Sequence, residues 1–342
     1  MTSNSEADKS VIQLAHGGGG RMMNRLIQDV FAEAFRHPDY DNANDAALLP
    51  WQTPDMVMTT DSFVVNPLFF PGGDIGTLAV NGTVNDLAMR AARPRYLSVG
   101  FIIEEGCPVE TVRRVAQSMR AAADTADVVV VTGDTKVVER GHGHGLYVNT
   151  AGVGCIEHDL RVGPRHVRPG DAIVLSGDIG RHGIAVLASR EELALETPIK
   201  SDCAPLAADV LALVRAGLEL HCLRDLTRGG LASGLVELSE ASGLAFVLQE
   251  EAIAVDGVVA AACEVLGLSP LYVANEGRFV VFLPADQAGR AIELLAQRNP
   301  GVQPSIIGEV VDRREAVVIA RSALGMERVI DMLSGEQLPR IC

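Results

Sequence analysis

Residues 72–106 read GGDIGTLAVNGTVNDLAMRAARPRYLSVGFIIEEG, and their order of glycine turn, helix and strand decides the fold class. The turn PGGDIG leads into a helical stretch from Thr77 to Ala92, and Tyr96–Ile103 has the composition of a strand. Upstream, Met56–Val65 (MVMTTDSFVV) also has strand composition. Downstream, Pro108 suits the first position of the next helix. That helix would carry Val112, Val115, Ala116 and Met119 on one face and Arg113, Arg114, Gln117 and Arg120 on the other. Val128–Val131 predicts a strand of buried type. Residues 135–154, TKVVERGHGHGLYVNTAGVG, predict a hairpin with GHGHG at its tip.

Composition shifts at RVGPRHVRPGD (Arg161–Asp171), which is basic and broken by proline and glycine, and a domain boundary is expected there. Beyond it come a strand Ala172–Ser176, a helix from Ile179 and a helix Ala204–Leu218. LRDLTRGGL (Leu223–Leu231) then leads into a further helix. Leu271–Leu283 predicts two strands flanking a polar turn, Asn275–Arg278. A helix Ala285–Arg298 and short strands near 306 and 317 complete the pattern. Both halves mix strands with helices, so the fold class is α/β (α+β). The expected division is a glycine-rich N-terminal segment (1–50), two folded domains (51–160 and 161–324) and a mobile C-terminal tail (325–342).

Charge and cysteine usage narrow the function classes. The 44 acidic against 29 basic residues leave a net charge of -15, which argues against a nucleic-acid binder and suits carboxylates that hold divalent cations. No uncharged apolar run approaches the roughly 20 residues of a membrane-spanning helix. The opening MTSNSEADKS has no apolar signal core, so a cytoplasmic chain is expected. The cysteines, Cys107, Cys155, Cys203, Cys222, Cys263 and Cys342, contain no CxxC pair, which removes zinc ribbons and thioredoxin-like motifs. Cys342 is the last residue.

Four signals carry chemistry. Asp61, Asp74, Asp86, Asp134 and Asp225 each lie at a strand end or tight turn, and carboxylates converging from several turns could bind a metal–nucleotide complex. Aspartates at such places also cap helices and close turns. No Walker-type GxxxxGK[ST] occurs; Gly17, Gly18, Gly19 and Gly20 before a helix could present amides to an anion, or act as a hinge. Thr227, Arg228, Gly229 and Gly230 offer a hydroxyl, a guanidinium and two exposed amides, or a plain helix cap. His142 and His144 in GHGHG could bind metal or stand as exposed turn residues, and His16 beside the glycines is a candidate for a nucleotide site. Finally, a terminal thiol at Cys342 could reach into an active site as a swinging carrier.

The glycine–aspartate stretch 72–106, VTGDTKVVERG (131–141), LRDLTRGGL, VANEGRFV (273–280) and the terminal PRIC (339–342) together resemble the hydrogenase maturation family HypE. The likeness runs from about residue 11 to the end. The first and third of these blocks are shared with a wider ATP-using superfamily that includes aminoimidazole ribonucleotide synthetase, selenophosphate synthetase and thiamine-monophosphate kinase; PRIC singles out HypE. Selenophosphate synthetase has a reactive cysteine or selenocysteine near the glycine-rich start, whereas the first cysteine here is Cys107.

The resemblance implies two α/β domains, with N-terminal domains pairing in a homodimer and ATP held near their interface. It implies that a HypF-type carbamoyltransferase loads Cys342. ATP with Mg2+ would then drive dehydration of the thiocarboxamide to a thiocyanate, and cyanide would pass to iron on a HypC–HypD complex for the [NiFe]-hydrogenase centre. Asp61, Asp74, Asp86, Asp134 and Asp225 would then serve the metal, with Asn85, Thr135, Thr227, Arg228, Gly229 and Gly230 at the nucleotide. Glu276 would be the base and Lys136 would stabilise developing charge. Two other readings differ in class. One is a superfamily ATPase or kinase acting on a diffusible substrate, the other a non-enzymatic carrier using its terminal cysteine.

Overall fold

The computed structural model describes residues 20–26, 47–49, 55–141, 143–190, 199–313 and 315–332. In chain order the N-terminal half comprises α1 (Arg21–Leu26), β1 (Ala47–Leu49), β2 (Met56–Phe63), β3 (Phe69–Phe70), β4 (Gly73–Asp74), α2 (Ile75–Met89), β5 (Arg93–Glu104), α3 (Val109–Ala126), β6 (Val129–Val138) and β7 (Leu146–Cys155). Five of the strands form one sheet in the order β1-β2-β7-β5-β6. Strand β6 runs parallel to β5 through the crossover helix α3, and β7 lies antiparallel on the other side of β5. The hairpin expected over residues 135–154 is therefore absent: β5 is inserted between its two arms. The valine run also differs from expectation, since Val129 and Val131 are 57% and 56% exposed on this edge strand. Pro108 stands one place before α3 rather than inside it.

Helix α2 is the element both halves share. Asp74 caps it, its carboxylate accepting from the N–H groups of Gly76 (2.7 Å) and Thr77 (3.1 Å). Thirteen of its fifteen residues are buried, as expected of a helix apolar on most sides. It packs on β2 and β7 on one side and, on another, on helix Ala207–Arg215 and strand Cys222–Asp225 of the C-terminal half.

The C-terminal half contains β8 (Asp171–Leu175), α4 (Arg181–Arg190), α5 (Ala207–Arg215), β9 (Cys222–Asp225), α6 (Gly230–Ser242), β10 (Ala245–Gln249), α7 (Gly257–Leu266), β11 (Phe279–Pro284), α8 (Ala288–Arg298), β12 (Ser305–Val311), β13 (Val318–Arg321) and β14 (Glu327–Ile330). Its sheet runs β14-β13-β10-β12-β8-β11-β9. Only one strand forms within 271–283. Residues 270–272 make a single 3-10 turn, and β11 begins after a buried irregular passage through Asn275. Strand β14 continues the sheet past Gly325, and Met332 beyond it is buried. Helix α1 docks at this end, where Arg21 pairs with Asp331 and Asn24 Nδ2 donates to Met332 Sδ at 3.2 Å.

One apolar core joins the halves. Val80 and Val84 of α2 belong to the same cluster as Val210 and Leu213 of α5, Val281 of β11 and Leu295 of α8. A second core, with Leu231 and Leu235 of α6, Phe246 of β10 and Phe282 of β11, lies within the C-terminal half. Among the described residues no helix is long and apolar enough to cross a membrane.

Candidate active site

The buried passage before β11 is held at almost every residue. Asn275 donates its N–H and its Nδ2 to Leu226 O at 2.9 and 3.0 Å, and its Oδ1 accepts from Gly180 N at 2.7 Å. Arg278 donates to Asp178 O (2.9 Å), Asp178 Oδ1 (2.8 Å) and Gly277 O (2.9 Å). Gly277 N donates to Asp202 Oδ2 at 3.1 Å, and a Cβ at Gly277 would come within 1.9 Å of Asp202 O. Glu276, between these anchors, is 3% exposed. Its main-chain oxygen accepts from Asn85 Nδ2 and from Ala204 N, both at 3.3 Å.

The electrostatics of this passage are acidic. Burial pushes the Glu276 carboxyl well above the ordinary carboxylate range. The charges of Asp225, Asp61 and Asp202 push it further, and the Arg228 guanidinium opposes them. Burial likewise raises Asp61, against Arg228 and the Ser62 N–H, which bonds its Oδ1 at 2.7 Å. Asp61, Asp202, Asp225 and Glu276 thus gather into one recess with Arg228 at its rim. A group with raised affinity for protons at neutral pH is suited to proton transfer.

The LTRGG turn lies beside the recess. Gly229 and Gly230 have φ of +76° and +61°, and a Cβ on Gly230 would meet Leu271 O at 2.6 Å and Val273 O at 2.7 Å. The expectation of two exposed amides here is corrected: Gly230 is buried and its N–H donates to Thr227 O at 3.0 Å, closing the turn.

Other residues singled out from the sequence are more dispersed. Asp74 caps α2 and also accepts from Ser118 Oγ at 2.5 Å. Asp86 accepts from Thr59 Oγ1 at 2.8 Å. Asp134 pairs with Lys136 at 2.7 Å on the exposed edge strand β6. Among the described residues no three His, Cys, Asp or Glu side chains are grouped so as to hold a metal ion by themselves, so the five aspartates do not converge within this chain. Asn85 spends its side chain between the halves, bonding Ala204 O (3.1 Å), Glu276 O and Leu206 N (2.7 Å). Gly20 is buried at the start of α1. His144 Nδ1 shares a hydrogen bond with Tyr147 Oη at 2.9 Å. His16, Gly17, Gly18, Gly19, His142 and Cys342, and the side chain of Thr135, lie outside the described residues.

Reasoning from sequence missed Asp202, Cys203 and Asn81, which border the recess. Cys203 accepts from Asn81 Nδ2 at 3.5 Å, and Asp202 Oδ1 accepts from His182 N at 3.1 Å. The local signal was the short polar stretch KSDC before Ala204–Leu218, which carries no motif of its own.

Fold and recess together define the class. Residues 43–156 match the family model "AIR synthase related protein, N-terminal domain", and residues 168–321 match the corresponding C-terminal domain. Within that class the chain is 50% identical to carbamoyl dehydratase HypE of Azotobacter vinelandii, over 97% of each chain. A solved structure of hydrogenase maturation protein HypE in complex with ATP superposes with a TM-score of 0.82 at 45% identity, covering 97% of this chain and 100% of that one. A solved HypE–HypF complex matches with a TM-score of 0.86 at 45% identity, covering 90% of this chain and 99% of that one. The chain belongs to the HypE family of carbamoyl dehydratases.

Proposed function

We propose that this enzyme serves [NiFe]-hydrogenase maturation by dehydrating an S-carbamoyl group on its own Cys342 at the cost of ATP. The observation that carries this reading is Glu276, a buried carboxyl with a raised proton affinity, fixed by its neighbours in a recess that borders the LTRGG turn. An amide oxygen is a poor leaving group, and phosphorylation makes it a good one. The carbamoyl oxygen attacks the γ-phosphorus and ADP departs. One N–H proton passes to the Glu276 carboxylate and on to solvent, and the second leaves with the departing phosphate as the C–O bond breaks and the C–N triple bond forms. The product is the thiocyanate of Cys342, with the carbamoyl oxygen carried away in phosphate.

Positioning and charge neutralisation dominate such phosphoryl transfers. Thr227 and Arg228, with the Gly229 amide, would face the phosphates, and the glycines 17–20 would offer further amides to them. Mg2+ would suit the donors by their chemistry, because the hard oxygens of Asp61 and Asp225 lie near enough to Glu276 to act on it, although they make no complete metal cage by themselves. Asp61 and Asp225 would hold it, phosphate and water supplying its remaining ligands, as is usual for this ion. When bound, it would neutralise charge on the transferred phosphoryl group. Asp74, Asp86 and Asp134, already engaged within the chain, would contribute only after local rearrangement or through a second subunit.

A homodimer built on the N-terminal sheets is part of the same proposal. Tyr96, Ile102 and Val129 are exposed on one face of β5 and β6, with exposed Val131 at the bulge beside them, and a hydrophobic face of that kind marks an interaction surface. A HypF-type transferase would load Cys342, a HypC–HypD complex would accept cyanide, and the setting would be cytoplasmic.

The test is mass spectrometry of the C-terminal peptide after incubation with a HypF-type carbamoyltransferase and carbamoyl phosphate, with and without Mg-ATP. An adduct on Cys342 that loses one water only with ATP supports the proposal. An unmodified peptide returns the enzyme to a diffusible substrate. An adduct that never loses water leaves a carrier.

A further inference from the structure

Helix α2 carries two asparagines four residues apart, hence on one face, and only one is fully satisfied. Asn85 makes three hydrogen bonds, one of them to the main chain of Glu276. Asn81 donates Nδ2 to Cys203 Sγ at 3.5 Å, while its Oδ1 has no partner although the residue is 2% exposed. A buried amide oxygen left unpaired is destabilising, and in a folded protein it calls for a reason. Cys203 adjoins Ala204, whose N–H bonds Glu276 O, so Asn81 and Cys203 border the recess on the side of α2. Cys203 as a residue is partly exposed, whereas the Asn81 oxygen beneath it is enclosed, so a ligand reaches that oxygen only when the thiol moves aside. The thiol itself is not the chemistry. Burial first, and then the Glu276 charge, drive it far above the ordinary thiol range and keep it neutral.

An unpaired carbonyl oxygen beside a neutral thiol and an acidic recess is complementary to an uncharged N–H donor. The site's proposed substrate supplies one, the –NH2 of the S-carbamoyl group. We infer that Asn81 Oδ1 accepts one N–H of that group and so presents the other to Glu276. Asn81 is then a substrate-positioning residue, and the inference rests on the dehydratase reading given above. The first N–H bond broken is the one facing Glu276, whose carboxylate takes the proton while its electron pair becomes part of the C–N multiple bond; the N–H held by Asn81 is lost last, its proton leaving with the departing phosphate.

The test uses full-length enzyme, with Asn81→Leu as a near-isosteric apolar replacement and Asn81→Ala as a second variant. Each is carbamoylated at Cys342 by the transferase, and three quantities are read: thermal midpoint, affinity for a non-hydrolysable ATP analogue, and the first-order rate of water loss at saturating Mg-ATP. Removing an unpaired buried polar group should leave the Asn81→Leu midpoint equal to or above that of the wild type. Analogue affinity should stay unchanged, while water loss slows about tenfold or more, the worth of one substrate hydrogen bond. A rate within twofold of wild type in either folded variant overturns the inference. Failure of the wild-type arm itself to lose water with Mg-ATP would instead sink the dehydratase reading, and the role of Asn81 with it.

Discussion

Asp61 and Lys136 lie on opposite faces of one sheet. Asp61 on β2 is in register with Thr150 on β7, Thr150 with Val99 on β5, and Val99 with Gly133 on β6. Partners in register share a face, and side chains alternate along a strand. Asp134 and Lys136, one and three residues past Gly133, therefore face away from Asp61, and Lys136 is in register with exposed Ile102. Asp61 shares its electrostatic field with Arg228 and Glu276. The two groups assigned to one reaction thus stand on the two sides of the N-terminal sheet.

A dimer formed through the exposed face would let Lys136 of one subunit serve the recess of the other. Lys136→Ala and Glu276→Gln should each abolish dehydration in homodimers. Mixed and allowed to exchange, they should recover about a quarter of wild-type turnover, because half of the dimers are then mixed and each holds one intact site. Turnover that stays at background in the mixture, with exchange verified by differently tagged subunits, would place both groups in the same subunit.

The same face makes a separate demand. Val131 is exposed at the sheet edge beside Tyr96 and Val129, and a charge there would have to be desolvated on pairing. Val131→Glu should shift the sedimentation coefficient from dimer to monomer at micromolar concentration. Because the side chain is exposed in the single chain, the thermal midpoint of the monomer should change little. A variant that sediments as the wild type would remove β6 from the interface.

Much of this site was legible in the sequence, for reasons that also set the limit. LRDLTRGGL placed Asp225 and Arg228 beside a helix start because its glycines serve backbone geometry that other residues cannot adopt. Glu276 was reached only through family resemblance, since an acid in a polar turn looks the same whether it is solvated or buried. Asp74 and Asp134 had equally good spacing, yet one caps a helix and the other pairs with a lysine. Those alternatives differ in tertiary surroundings, not in local pattern. Asn81 and Cys203 are 122 positions apart, and no periodicity links them. The valines of β6 misled for a related reason. A β-branched run specifies a strand, while its place at the sheet edge is decided by where β7 pairs.

Asn85 is a mechanical tie between the halves as much as a site residue. Asn85→Ala would take away the partner of Leu206 N and of the Ala204 oxygen, and one of the two donors to the Glu276 oxygen, in a buried setting. Losing three hydrogen bonds there should destabilise the fold by about 2–4 kcal/mol. Urea unfolding followed by circular dichroism measures it. Asn85→Asp should be worse at pH 8 than at pH 5, since a carboxylate cannot donate to either oxygen. A loss below about 0.5 kcal/mol for Asn85→Ala would mean that water replaces the tie.

Glu276 links stability and chemistry through one proton. Its folded-state affinity for that proton is raised, chiefly by burial and then by Asp225, Asp61 and Asp202. Between the unfolded and the folded values the native state binds more protons than the unfolded state, so stability falls as pH rises through that window. Glu276→Gln removes the titration while keeping the shape. The variant should be the more stable protein above the window, with the difference shrinking as the pH is lowered toward the ordinary glutamate range. It should also be inactive in dehydration with ATP-analogue binding intact, because the lost group is a base and not a nucleotide ligand. Parallel denaturation curves at several pH values decide the matter. A wild-type-minus-variant stability difference independent of pH would show that Glu276 titrates as an ordinary carboxylate, and the recess would lose its proposed base.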